Sequence, residues 1–396
     1  MLAKSKQLAK PFAFSLFKWK GLDPFLISVV GAMVIFGLIM VYSASFMATL
    51  ERTGDGLFFV KKQLLFGVLG MVALVVAASV PYRFWMKHAY LILLFSTVLL
   101  ALVLVPGVGV QSKGASRWLN VAGFHFQPAE FAKFALMLFV ARQLTTKGDR
   151  IRRFVPGVLS NFLAITPALL LLLKQPDFGS CVIIVGVVFA LMFLGGVPKR
   201  YLLGCVGLAG AAGAALVLIS PYRMARLTTF LNPWEDPSGK GFQILQSLIG
   251  LNNGKFWGVG LGNSKEKLFF LPEAHNDFIF AIIGEELGFL GVAAVLLAYC
   301  YFIYRGLSVA WALYKKTGDR FGLLLGSGIT AAIGFQAFVN MSVVMGLLPT
   351  KGLNLPFISY GGSALLMNLF AVGILMNIAA EAGKTRRAAL ARGGSK

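Results

Sequence analysis

The chain has 396 residues, of which 58% are hydrophobic and only 13% charged, with a mean hydropathy of +0.78 and a formal net charge of +22. Those values exclude a soluble globular class and point to a multispanning helical membrane protein. Cys181, Cys205 and Cys300 stand in apolar surroundings, odd in number and without ligand spacing, so neither a disulfide framework nor a zinc site is indicated.

Taken in order, a basic tail over 1–23 leads into an apolar run from Pro24 to about Ser43. That run is longer than a signal peptide's core and reads as an uncleaved membrane anchor. Further runs long enough to span begin near Leu64, Tyr90, Ala129, Pro156, Phe178, Tyr201, Asp277, Phe321 and Ser363, which makes about ten helices. The expected fold is an all-α integral membrane protein: one transmembrane unit over 24–382, flanked by basic tails at 1–23 and 383–396. An even number of spans puts both termini on one side. With that side cytoplasmic, about 23 of the 37 basic residues fall inside, around Arg83, Arg150, Arg200 and Lys316 and in the two tails. Most of the net charge is then an orientation signal, and nucleic acid is not needed as a partner.

The basic residues left on the outer side include Lys113, Arg117, Arg223, Arg226, Lys240, Lys255, Lys265 and Lys267. They suit an anionic ligand, or are solvated loop charges. The outer loop after the third span leads into a helix whose first turns carry Glu130 and Lys133. Three residues apart, they share one face. Either charge alone at membrane depth costs roughly 2.5–3.5 kcal/mol on insertion scales. They are expected to pair, either as a purely structural ion pair or by lining a cavity that also holds Asp277.

One connection is long, Pro221 to Asn276, between the seventh and eighth spans (outer loop 221–276). Its aromatic and turn residues, and an apolar GFQILQSLIGL portion able to lie along the interface, mark it as ordered. The WGVGLGNS piece follows no strand, so it reads as a tight turn and not as a dinucleotide site.

The loop delivers the chain into LPEAHNDFIFAIIGEELGFL. A helix beginning near Asn276 or Asp277 puts Phe278, Ile279, Ile282 and Ile283 against lipid or neighbouring helices and leaves Asp277 at the membrane boundary. That carboxylate is either a helix cap or the acid of a polar cavity. His275 lies two residues from it, where helical side chains diverge, which argues against a His–Asp dyad. Glu285 and Glu286 are adjacent and project about 100° apart, so they cannot share one partner. Between the ninth and tenth spans, GLLPTKGLNLPFISYGGSA breaks the apolar pattern, which is tolerated at depth only against protein or a watered cavity.

These motifs are similar to those of the SEDS family of bacterial cell-wall polymerases. The parts that carry the likeness are GASRWL at 114–119, QPAEFAK at 127–133, NPWEDPSGKGFQ at 232–243, GVGLGNSKEKLFFLPEAHNDFIFAIIGEELG at 258–288 and LPTKGLNLPFISYGGSA at 348–364. The Ser of GASRW, the PEAH before the aspartate and the PTKG before the last span resemble the division-type branch more than the elongation-type one. Asn276 departs from the Thr usual there.

The resemblance implies a peptidoglycan glycosyltransferase that polymerises lipid II at the outer face of the bacterial cytoplasmic (inner) membrane, at the division site. It would work with a monofunctional class B penicillin-binding transpeptidase and other division membrane proteins. Asp277 takes the place of the family's essential catalytic residue. Arg117, Lys133, Arg223 and Lys265 could neutralise the lipid-linked pyrophosphate. Glu130, His275, Lys351 and Ser363, in the matching motifs, complete the candidate substrate contacts. A divalent cation, Mg or Mn, could share the charge, although no cluster of carboxylates is present to hold it tightly; no organic cofactor is expected. A lipid II flippase or a non-catalytic division scaffold are the competing readings. Inverted repeats would favour the flippase, and the two halves of the chain show no convincing similarity.

Overall fold

The computed structural model describes residues 23–393 except 113–114, 122, 238, 240, 269–270 and 350–351, and leaves out some further side chains, among them Tyr222, Arg223, Arg226 and those from 385 onward. The candidate Lys351 and the side chain of the candidate Arg223 therefore lie outside the described residues.

The spans are α1 (Pro24–Thr53), α2 (Phe58–Ser79), α3 (Tyr82–Leu102), α4 (Pro128–Lys147), α5 (Ser160–Lys174), α6 (Phe178–Gly195), α7 (Lys199–Ile219), and, after two shorter helices α8 (Pro221–Leu231) and α9 (Phe242–Gly254), α10 (Ile279–Thr317), α11 (Arg320–Val344) and α12 (Gly362–Gly393). Their ends follow ordinary capping chemistry. Asp23 accepts from the Leu26 amide ahead of Pro24, and Gly54 closes α1 in the left-handed conformation. α2 and α3 begin at Phe58 and Tyr82, ahead of the apolar runs near Leu64 and Tyr90. Lys61, Lys62, Arg83 and Lys87 interrupt apolarity there without interrupting the helix.

Among the described residues nine helices are long and apolar enough to cross a membrane, and α4 is not one of them. It supplies the tenth expected span from the interior. Most of its residues from Pro128 to Ala141 are buried, packed against α3, α6, α11 and α12, so its Glu130 and Lys133 meet protein instead of lipid. α11 and α12 form the centre of the bundle, whereas α7 buries only Leu202.

Two features go beyond the all-α expectation. The loop before α4 folds into a small antiparallel sheet, β1 (Gly109–Ser112), β2 (Ala115–Val121) and β3 (Phe124–Phe126), in that order, with Leu119 opposite both Gly109 and Phe126. The described residues of the long 221–276 connection include the helices α8 and α9. Its α9 packs on protein: Ile244 and Leu245 are buried and the Ser247 hydroxyl donates to the Val344 carbonyl at 2.6 Å.

α10 is broken at Gly288, whose φ of 64° and ψ of −159° fit no helix. The break frees backbone groups that membrane depth forbids leaving unpaired. The turn over 255–260 supplies their partners. Val259 and Gly260 amides donate to the Glu285 and Glu286 carbonyls at 2.9 and 3.0 Å, and the Phe289 amide donates to the Lys255 carbonyl at 2.9 Å.

Candidate active site

Three parts of the chain far apart in sequence meet around Asp277: the turn before α10, the loop over 348–361, and the ends of α2 and α11 that bond to these two segments. α10 starts at Ile279, two residues later than expected, with Phe278 at the cap position and no side-chain cap bond. Asp277 is thus not the cap of α10. It sits half-buried in the preceding turn, while Phe278, Ile279, Ile282 and Ile283 are buried against neighbouring helices.

Asn340, on α11, holds this turn. Its Nδ2 donates to the Asp277 carbonyl at 2.8 Å and to the Leu353 carbonyl, so one buried amide ties the aspartate's backbone to the last outer loop. The loop's Gly352 faces the carboxylate directly, since a Cβ there would lie 2.9 Å from Asp277 Oδ2. A side chain there would push the carboxylate aside, so the glycine leaves room for it. Farther along, Gln63 of α2, 1% exposed, donates to the Ser359 carbonyl and accepts from the Gly361 amide. Asn354 bridges inside the loop to the Tyr360 carbonyl at 2.9 Å.

Glu130 and Lys133 pair at 2.7 Å with both side chains 9% exposed. The Lys133 ammonium also donates to Gln336 Oε1 at 2.6 Å, and Gln336 Nε2 donates to the Asn354 carbonyl at 2.9 Å. A chain of polar contacts therefore runs from α4 through α11 into the loop that faces Asp277. The cavity beside the pair holds about 40 Å³ and is walled by residues such as Phe134, Met137, Gln336 and Asn368. Asp277 is not among its lining residues. The connection to the aspartate seen among the described residues is through bonds.

The other candidates occupy varied positions. The Arg117 guanidinium donates to the Gln175 and Pro176 carbonyls at 3.2 and 2.6 Å, so it closes the end of α5. Lys265 is exposed and its amide donates to Glu285 Oε1 at 3.0 Å. His275 packs its ring 4.2 Å from Phe59 and 5.7 Å from Tyr360, and its carbonyl accepts from the Tyr360 amide, which fastens the Asp277 turn to the last loop a second time. The Ser363 hydroxyl accepts from the Gln127 amide at 3.1 Å and donates to the His125 carbonyl at 3.2 Å, joining α12 to the entrance of α4.

Gln63, Gln336, Asn340 and Asn354 escaped sequence reading. A lone amide in an apolar run carries little pattern, and the usable signal is that a buried amide must find partners. No three His, Cys, Asp or Glu side chains gather to hold a metal among the described residues. Asp277 offers one carboxylate there, and Mg or Mn commonly takes one or two carboxylates together with waters and substrate phosphates instead of an all-protein cage.

A family model described as "Cell cycle protein", of the FtsW/RodA/SpoVE type, matches residues 24–384. A protein of Geobacter metallireducens named probable peptidoglycan glycosyltransferase FtsW is 46% identical over 88% of this chain and 92% of its own length. Stage V sporulation protein E of Bacillus subtilis is 41% identical, over 90% of this chain and 96% of that one. Among solved structures, a chain from a peptidoglycan synthase complex aligns with a TM-score of 0.75 at 30% identity, covering 92% of this chain and 99% of that chain. Rod shape determining protein RodA of Thermus thermophilus aligns with a TM-score of 0.67 at 30% identity, covering 91% and 97%. With its helical bundle and the loops that converge on Asp277, the chain belongs to the FtsW/RodA/SpoVE family.

Proposed function

We propose that this chain is a peptidoglycan glycosyltransferase of the division type, polymerising lipid II at the outer face of the bacterial cytoplasmic membrane with Asp277 as general base. The observation that carries the reading is the half-buried Asp277 carboxylate, gripped through its backbone by Asn340 and faced by Gly352. Relatives named as peptidoglycan glycosyltransferases support the activity. The similar chain from a peptidoglycan synthase complex supports a class B transpeptidase as partner.

Extending a glycan requires the 4-hydroxyl of an acceptor sugar to attack the anomeric carbon of a lipid-pyrophosphate donor. The new carbon–oxygen bond forms as the bond to the phosphate oxygen breaks, inverting α to β, and the hydroxyl proton passes to the Asp277 carboxylate. A sugar hydroxyl is a weak nucleophile, and such a base contributes roughly 10²- to 10⁴-fold in rate. A single inverting displacement needs no second carboxylate as covalent nucleophile. The pyrophosphate leaves with its charge neutralised by cations of the loops, for which the exposed Lys265 is a candidate.

The test is Asp277→Asn, which keeps size and shape but cannot take the proton. The purified variant is expected to fold, reconstitute and make almost no glycan polymer from pure lipid II. Most of the wild-type rate surviving would end the general-base assignment. Lipid II crossing sealed vesicles without polymer formation would favour transport instead.

A further inference from the structure

We propose that Glu286 and Lys267, with Ser43, are positioning residues that latch the Asp277-bearing segment onto α10 and α1. This rests on the reading of Asp277 as the base. Glu286, 0% exposed, binds the Lys267 ammonium at 2.7 Å and the Ser43 hydroxyl at 2.7 Å, and Lys267 itself donates to Ser43 Oγ at 3.1 Å. The pair is almost wholly dry, at 6% and 0% side-chain exposure. Its neighbour Glu285, turned about 100° from it as adjacent helical residues are, takes the Ser264 hydroxyl and the Lys265 and Glu266 amides. The two glutamates therefore grip consecutive residues of one turn, 264–267, by side chains. Through the carbonyls left open by the break at Gly288, they also grip 259–260 by backbone.

The geometry closes a ring. Lys267 and Glu286 are nineteen residues apart in sequence, and the chain between them carries Asp277 two residues from where α10 begins. One end of the segment is covalent at Ile279; the other is held by the latch and by the Glu285 contacts beside it. Without the latch the connection that must be closed grows longer and its far end is less closely defined. A base displaced by about 1 Å can lose on the order of 10²-fold in rate. A buried ion pair is poor at adding stability, since well-packed apolar residues often serve as well or better. What Lys267 and Glu286 offer beyond an apolar contact is direction: three bonds that fix where residue 267 sits.

That contrast supplies the test, run on the full-length chain with lipid II in detergent or nanodiscs. Glu286→Gln and Lys267→Met are each expected to lower kcat by about tenfold or more with KM changed by less than about twofold. The double variant Lys267→Met/Glu286→Leu removes both charges together. It is expected to recover the thermal midpoint lost by either single variant while kcat stays low. A role confined to stability would bring kcat back with the midpoint, and that result would overturn the proposal, as would wild-type kcat in Glu286→Gln. If a single variant fails to fold, the double variant and Ser43→Ala, expected to lose about threefold in kcat with its bonds to Glu286 and Lys267, decide the matter alone. Asp277→Asn is measured alongside. Full activity in Asp277→Asn would remove the base and, with it, what the latch positions. An inactive Asp277→Asn beside a fully active Glu286→Gln would remove the latch only.

Discussion

Glu266 is 5% exposed, and its Oε2 has no hydrogen-bond partner among the described residues. Burial, and then the nearby Glu285 carboxylate, push it up to about 7 from the ordinary carboxylate range. Of the two lysines that flank it, Lys267 is committed to Glu286 and Lys265 turns outward. Between its unfolded value and about 7, the folded protein binds more protons at this site than the unfolded chain, so stability falls as pH rises through that window. The thermal midpoint of the purified protein is expected to decline from pH 5 to pH 8, and Glu266→Gln, uncharged at every pH, to flatten that decline. An unchanged slope would mean the carboxyl is not held in its protonated form. The Glu130 and Lys133 pair obeys a different asymmetry. Removing one partner strands the other in a dry site, a loss of about 3–5 kcal/mol. Glu130→Ala and Lys133→Ala are each expected to cut polymerisation by loosening Gln336 and the loop beyond it. Normal lipid II turnover by a normally folded Lys133→Ala would detach the pair from the site. The pairing itself was legible from a three-residue spacing. Its continuation through Gln336 to Asn354 was not, because nothing local in those amides says which carbonyl they will meet.

At the scale of elements, the break in α10 is the feature the primary structure hid best. GEELG reads as uninterrupted helix because a lone glycine is tolerated in one. What makes the break possible lies some thirty residues earlier, in the turn at 255–260 that repairs it. Gly288 is fixed by two independent demands. Its backbone occupies a region reserved for glycine, and a Cβ there would stand 2.4 Å from the Gly258 nitrogen. The conformation alone costs another residue about 1–3 kcal/mol, and the clash is with backbone that cannot rotate away. Gly288→Ala is accordingly expected to lower the thermal midpoint and the yield of folded protein sharply, read by detergent-solubilised melting. A melting curve like the wild type's would show that α10 can run straight. The sheet at 109–126 was invisible for a simpler reason: strands of four, seven and three residues are too short for alternation to rise above a loop. The spans themselves were readable from apolar length. α4 was found with the rest, from the apolar run near Ala129, and the one-turn spacing of its acid and base told only that the two charges pair.

For the whole molecule, the distribution of lysine and arginine gives an orientation that can be checked directly. Single cysteines in a chain lacking its own three are expected to react with a membrane-impermeant reagent in spheroplasts when placed at Trp257, in the outer loop and 76% exposed, and to stay unlabelled at Lys316. Labelling at Lys316 would invert the topology and remove the outer-face reaction with it. Global architecture was the most legible level, since membrane depth restricts a spanning chain to few solutions. The meeting of distant loops was the least, because the contacts are chosen by partners from 63 to 298 residues away, as for Asn340 and Gln63. Gln63 shows the consequence of such distance for a chain being made. Its two bonds reach Ser359 and Gly361, 296 and 298 residues downstream. During synthesis, the ribosome has long since released Asp277 when Gly352, Ser359 and the start of α12 emerge. A nascent or prematurely terminated chain therefore holds Asp277 without Gly352, the glycine that faces it.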